Sequence, residues 1–185
     1  MCRLRVSGGY IFFDICLLFC LLYVIIIVNK AEGMWNVVEK KFPDYFCNFE
    51  LPTDLDEDEF VVYRACITGV ADEQSFLNSY EEAGGRVPES ERHNPSAYSL
   101  SVYKKPKEIA RFVSNDRRMK YPWNIATGKT NPIHGVHKET KYRLGRDGRK
   151  RKTSHVDWWL YEDSQPWIDF TVIDNFDDYL DNYKA

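Results

Sequence analysis

Apolar and polar positions recur along this chain with two periods, and each change of period marks an element. The run "FVVYRACIT" (60–68) is rich in β-branched and aromatic residues and reads as a buried strand. "ADEQSFLNSYEEAGG" (71–85) takes a helical period, with Phe76, Leu77 and Tyr80 on one face. Asp72 serves as its N-cap and Gly84-Gly85 as its stop. A polar loop (86–96) leads to "AYSLSVY" (97–103), which alternates strictly. Tyr98, Leu100 and Val102 point one way; Ser99, Ser101 and Tyr103 point the other. "KPKEIARFVSND" (105–116) is a helix with Pro106 in its first turn. Further strands are predicted over 123–130, 137–144, 155–161 and 167–173. The Asp-Gly pair in "RDGR" (146–149) suits a hairpin tip, and a turn is expected at 164–166. The tail, 174–183, reads as a short acidic helix. The order β-α-β-α followed by several strands predicts an α+β fold with a mixed or antiparallel sheet, two short helices between its first strands, and an apolar N-terminal helix ahead of it.

That α+β domain spans 60–185. Ahead of it, 34–59 sets Trp35, Val37, Val38, Phe42 and Phe46 among charges, a short helix ending at Pro43, and then an acidic surface connector to Glu59. Residues 1–33 hold "YIFFDICLLFCLLYVIIIV" (10–28), 19 residues long, enough to cross a bilayer as a helix. No small-residue cleavage site follows it. This predicts a single-pass membrane protein if Met1 is the start. Asp14 costs less there than the about 2.5–3.5 kcal/mol of a charge at a helix centre. Arg3 and Arg5 before the span, against Lys30, Lys40 and Lys41 after it, leave its orientation open. A second reading stands beside the first. Met34 suits the start of a soluble, cytoplasmic domain, and the codons for "KAEG" can spell a purine-rich bacterial ribosome-binding site. The mixture upstream of it matches translated T-rich DNA.

Composition adds three points. Aromatic residues make up 15% of the chain, which supplies a packed core and excludes a disordered segment as the whole. The net charge of −3 conceals segregation: acids gather in 50–59 and 174–183, bases in "KETKYRLGRDGRKRK" (138–152). Such a block is either solvated surface or a meeting place for phosphates. The five cysteines show neither a CxxC pair nor zinc-finger spacing, so a disulfide scaffold is not expected.

Candidate chemistry falls on three strands. Arg64 sits among apolar residues on a face with Phe60, Val62 and Cys66, and a buried arginine needs a carboxylate or phosphate partner. An internal pair with Asp157 or Glu162 is one possibility, an anion-binding guanidinium in a cleft the other. Ser99 and Ser101 share a strand face. In "SHVDWWLYED" (154–163), His155, Asp157, Trp159 and Tyr161 share another, so the carboxylate can orient the imidazole. "TGKT" (127–130) is no P-loop, because Trp123 stands where the first glycine belongs. His134, His137 and His155 lack metal-ligand spacing, and no metal is expected.

The sequence of "VYRA", "YSLSVYKKPKEIARF" and "NIATGKTNPIHGV" resembles the layout of mono-ADP-ribosyltransferase-like domains over about residues 60–173. The resemblance implies NAD as cofactor, with Arg64 on the pyrophosphate and Ser99 and Ser101 beside the nicotinamide. The family's Glu-x-Glu is missing. "HVDWWLYED" stands in its place, which leaves Glu162 and then Asp157 as the nearest carboxylates, with His155 for polar work. Without that pair, the leading expectation is a binding or interaction module with an unknown protein partner. The alternatives are an NAD-binding ADP-ribosyltransferase-like enzyme, active or degenerate, and nucleic-acid binding through 138–152.

Overall fold

Period-two stretches of β-branched and aromatic residues build a six-stranded, wholly antiparallel sheet in the computed structural model, which describes residues 40–116, 118–144 and 148–183. The apolar run 10–28, its membrane role and the alternative start at Met34 lie outside the described residues. Among the described residues, no helix is long and apolar enough to cross a membrane. The strands are β1 (Val61–Ala65), β2 (Leu100–Tyr103), β3 (Ile125–Lys129), β4 (Gly135–Glu139), β7 (His155–Leu160) and β8 (Thr171–Val172). Their order in space is β4-β7-β2-β1-β3-β8. The α+β class holds.

Both faces of the sheet are covered. On one, Val62, Leu100, Val102, Val156 and Trp158 pack with Phe76 and Phe170. On the other, Tyr63, Ala65, Tyr103 and Ile125 receive Ile109 and Val113 of α2 (Pro106–Val113) and Phe176 of α3 (Phe176–Asn182). Further along that second face, Val136, Trp159 and Tyr161 lie under Phe42, Phe46, Phe49, Leu51 and Leu55. Burying each such side chain contributes about 1.5–3 kcal/mol, so these layers hold the sheet together.

Several elements differ from their expected form. The stretch 71–85 is not one helix: a 3₁₀ turn at Gln74–Phe76 is followed by the short α1 (Ser79–Glu82). Asn78, not Asp72, caps α1, in a capping box with Glu81. Asp72 instead accepts from the amide of Ser75. Gly84 and Gly85, at φ 64 and 78, do end the helix. Pro43 opens a 3₁₀ turn at Asp44–Asn48 rather than closing a helix. The acidic connector is partly structural, since Asp56 bonds both ways with His137 and shields the β4 edge.

A two-stranded ribbon, β5 (Tyr142–Leu144) and β6 (Lys150–Lys152), extends the β4–β7 hairpin. The pairing slips by one residue between Glu139↔Val156 and Tyr142↔Lys152, which makes Ser154 an extra residue, a β-bulge. Ser154 is fastened on both sides. Its amide donates to Glu108 Oε2, and its hydroxyl accepts from the Lys105 amide.

β4 and β7 approach so closely at Gly135 that a Cβ there overlaps the carbonyl oxygen of Trp159. We expect Gly135→Ala to destabilise the fold by about 2–3 kcal/mol. Its thermal midpoint should fall by roughly 4–12 °C; an unchanged melting curve would contradict this packing.

Candidate functional site

Arg64 leaves the core face of β1 at the point where β1 and β2 share a single register pair, Tyr63↔Tyr103. It is 8% exposed. Its Nε donates to the Ser75 carbonyl at 2.8 Å, Nη1 to the Ser101 carbonyl at 3.0 Å and Nη2 to the Leu77 carbonyl at 3.0 Å. Its ionic partner is Glu82 at 3.4 Å, neither Asp157 nor Glu162. Burial pulls the guanidinium below its ordinary pKa, and Glu82 opposes that. Glu82 also takes Arg118 Nη1 at 2.7 Å, and Arg118 pairs with Asp116. Both arginines are therefore neutralised in place.

These groups border a hollow of about 60 Å³ lined by Arg64, Ser99, Ser101, Glu82, Phe112 and Arg118, among others. The three residues singled out as ligand-binding do meet there. Behind them lies a polar seam on the second face of the sheet, between the two apolar clusters. Ser101 faces Asp157 across β2–β7, and Tyr103 faces His155. His155 is 1% exposed and Asp157 5%. Asp157 accepts from Ser99 at 2.6 Å and from Thr140 at 2.6 Å. His155 Nδ1 lies 3.2 Å from the Thr140 hydroxyl, and Nε2 lies 3.0 Å from Ser101 Oγ. Direct contact between His155 and Asp157 is 3.8 Å, too long for a hydrogen bond, so Thr140 bridges the pair.

The directions of these bonds follow from donor counting. Thr140 gives its single hydroxyl proton to Asp157, so it can only accept from His155. Nδ1 then carries the imidazole proton, and bare Nε2 accepts from Ser101. Burial keeps the ring neutral, with its pKa lowered to about 4; Asp157 opposes this, while Arg143 and Arg64 reinforce it. Cys66 offers no comparable nucleophile, since burial pushes its thiol up to about 11.

Glu162 is placed elsewhere. It pairs with Lys41 at 3.1 Å and lines a second hollow of about 390 Å³ with Tyr45, Glu81 and Trp167. His134 bonds Asp169 and His137 bonds the Asp58 carbonyl. Among the described residues, no group of three or more His, Cys, Asp or Glu side chains is placed to hold a metal. Thr140, Glu82 and Arg118 went unrecognised in the sequence. Thr140 sits in "KETKY" with no pattern to mark it, and the other two carry ordinary surface charges.

The basic ribbon is the second distinctive feature. Arg143 faces Arg151 across it, Lys150 faces Leu144, and exposed Tyr142 faces Lys152. Lys141, Lys150 and Lys152 form no ion pair with a described residue, whereas Lys138 is paired with Asp54. Lys105 and Lys107 on the exposed side of α2 continue the charge from the ribbon's root. Compared with protein-family models, curated proteins and solved structures, the chain matches none.

Two outcomes are expected. Arg64→Ala strands three carbonyls and leaves Glu82 to Arg118 alone, and should cost at least about 3 kcal/mol in denaturant unfolding. A loss under about 1 kcal/mol would show the guanidinium to be dispensable. For His155, the folded pKa lies below the unfolded value, so its contribution to stability is complete above about 6.5 and is lost as pH falls toward about 4. Its imidazole proton resonances in NMR should stay fixed from neutral pH to about 5. A midpoint near 6.5 would refute this burial.

Proposed function

We propose that this protein binds nucleic acid through the β5–β6 ribbon and the adjoining start of α2. The observation that carries the reading is a two-stranded ribbon along which exposed basic residues gather, Lys150 and Lys152 on one strand and Lys141 just before the other. A two-stranded ribbon has the width to enter a duplex major groove. Lys141, Lys150 and Lys152 supply charge for phosphates, and Tyr142 offers a ring to a base or sugar. An acidic protein partner is a weaker fit, because the charge follows a narrow ribbon rather than a broad, shaped patch. In the acidic connector, Asp54 pairs with Lys138 and Glu57 with Lys40.

A second reading, an NAD-binding enzyme of the ADP-ribosyltransferase type, is favoured by one observation, the meeting of Arg64, Ser99 and Ser101 at one hollow. Two observations weigh against it. The guanidinium is spent on carbonyls and Glu82, and the hollow is far below the roughly 300–1,000 Å³ that ligand pockets of this kind occupy.

With a fluorescent duplex, the full-length protein should show affinity that falls linearly with salt on logarithmic axes. Exchanging Lys141, Lys150 and Lys152 for Gln should lower the slope by roughly 2–3. Binding that ignores salt, or a triple variant indistinguishable from wild type, would defeat the proposal. Calorimetry with NAD separates the second reading, which requires heat of binding that Arg64→Lys diminishes.

A further inference from the structure

We infer that Ser101 is the nucleophile of a covalent hydrolytic site that takes small acyl esters. The inference rests on the seam described above and is independent of the ribbon. Four side chains from two strands and one strand end form a single directed chain: Ser101 to His155 at 3.0 Å, His155 to Thr140 at 3.2 Å, and Thr140 to Asp157 at 2.6 Å. In such a chain a serine hydroxyl is polarised by a neutral imidazole whose far nitrogen is held by a group leading to a carboxylate. Here a threonine hydroxyl occupies the link that a carboxylate fills directly in the usual triad. The proton assignments need no choice, since a carboxylate at the end of the chain can only accept.

Position supports the same role. Of the chain's members, Ser101 lines the hollow and is partly exposed, while His155 and Asp157 are buried behind it. A nucleophile at a cavity, in hydrogen-bond contact with a base that a third group orients, is the geometry that nucleophilic catalysis uses. The bulge at Ser154, next to His155 and bonded to Glu108 and Lys105, sets the ring where the strand turns out of register. Thr140 touches the base and not the substrate, so it is a positioning residue.

The size of the hollow selects the substrate. About 60 Å³ admits a group of a few heavy atoms, such as an acetyl. Phe112 and Met119 give that space an apolar side, and Arg118 stands at the same hollow with a half-exposed guanidinium. Ser101 Oγ attacks the ester carbonyl carbon as its proton passes to His155 Nε2. The carbon–oxygen bond to the alcohol breaks, and the departing alkoxide takes that proton from His155. Water then attacks the acyl-serine, giving its proton to Nε2; the acyl–Oγ bond breaks, Ser101 Oγ takes that proton back from Nε2, and the acid leaves.

The test uses full-length protein, a fluorophosphonate reagent and p-nitrophenyl acetate. Mass spectrometry of the wild-type protein should find the phosphonyl group on Ser101 and an acetyl group there after quenching with acid. This measurement requires no variant to fold. Ser101→Ala should lose both labels and the burst of nitrophenol, with near-UV circular dichroism checking its fold. Thr140→Val should slow labelling by roughly 100-fold, and Thr140→Ser should recover most of that rate, which a purely structural role for the methyl group would not produce. A label on any other residue, no label at all, or Ser101→Ala reacting like wild type would each overturn the inference.

Discussion

The fold depends on one buried guanidinium. Beyond Tyr63 and Tyr103 the ladder between β1 and β2 is not continued, and Arg64 supplies the hydrogen bonds missing there. It ties the Ser101 carbonyl on one side to the Ser75 and Leu77 carbonyls on the other. The turn holding Phe76 is thereby fixed against the core, and α1 starts two residues after Leu77. A planar donor fork meets three carbonyls at set angles, which a lysine cannot do. Because the arrangement is buried, each unmet carbonyl would carry its full desolvation cost.

The second face of the sheet shows a different economy. Two apolar clusters flank a strip of hydroxyls, an imidazole and a carboxylate, none of which can be left unpaired so far from water. The strip is satisfied internally, each member bonding the next. A network of this kind adds little net stability compared with apolar packing, yet it dictates rotamers and tautomer without ambiguity. That rigidity is what chemistry at Ser101 requires, and it explains how a hollow too small for a dinucleotide can still be a site.

The ribbon and the seam share a root. Thr140 and His155 lie opposite each other where β4 and β7 give way to β5 and β6, joined by the Thr140 amide and the His155 carbonyl at 2.9 Å. Arg143, on the ribbon, reaches Tyr103, whose ring stands edge-on to His155. The polyanion contact proposed for the ribbon and the proton transfer proposed at Ser101 therefore draw on adjoining residues, separated by one bulge.

Much of this was present in residue order. Alternation assigned Ser99, Ser101 and Tyr103 to one face and His155, Asp157, Trp159 and Tyr161 to another, because strand side chains repeat every two residues whatever the surroundings. The same period placed Arg64 with Val62 and Cys66, and composition alone argued that it must have a partner. Tertiary structure decided which partner. Glu82 and the Ser75, Leu77 and Ser101 carbonyls come from segments whose proximity no local pattern encodes. It also decided that Asp157 serves Ser99 and Thr140, and that Glu162 faces a separate hollow. The one-residue slip at Ser154 depends on how two strands match each other, a relation between segments rather than a property of either. Local chemistry chose the faces; pairing across the sheet chose the neighbours.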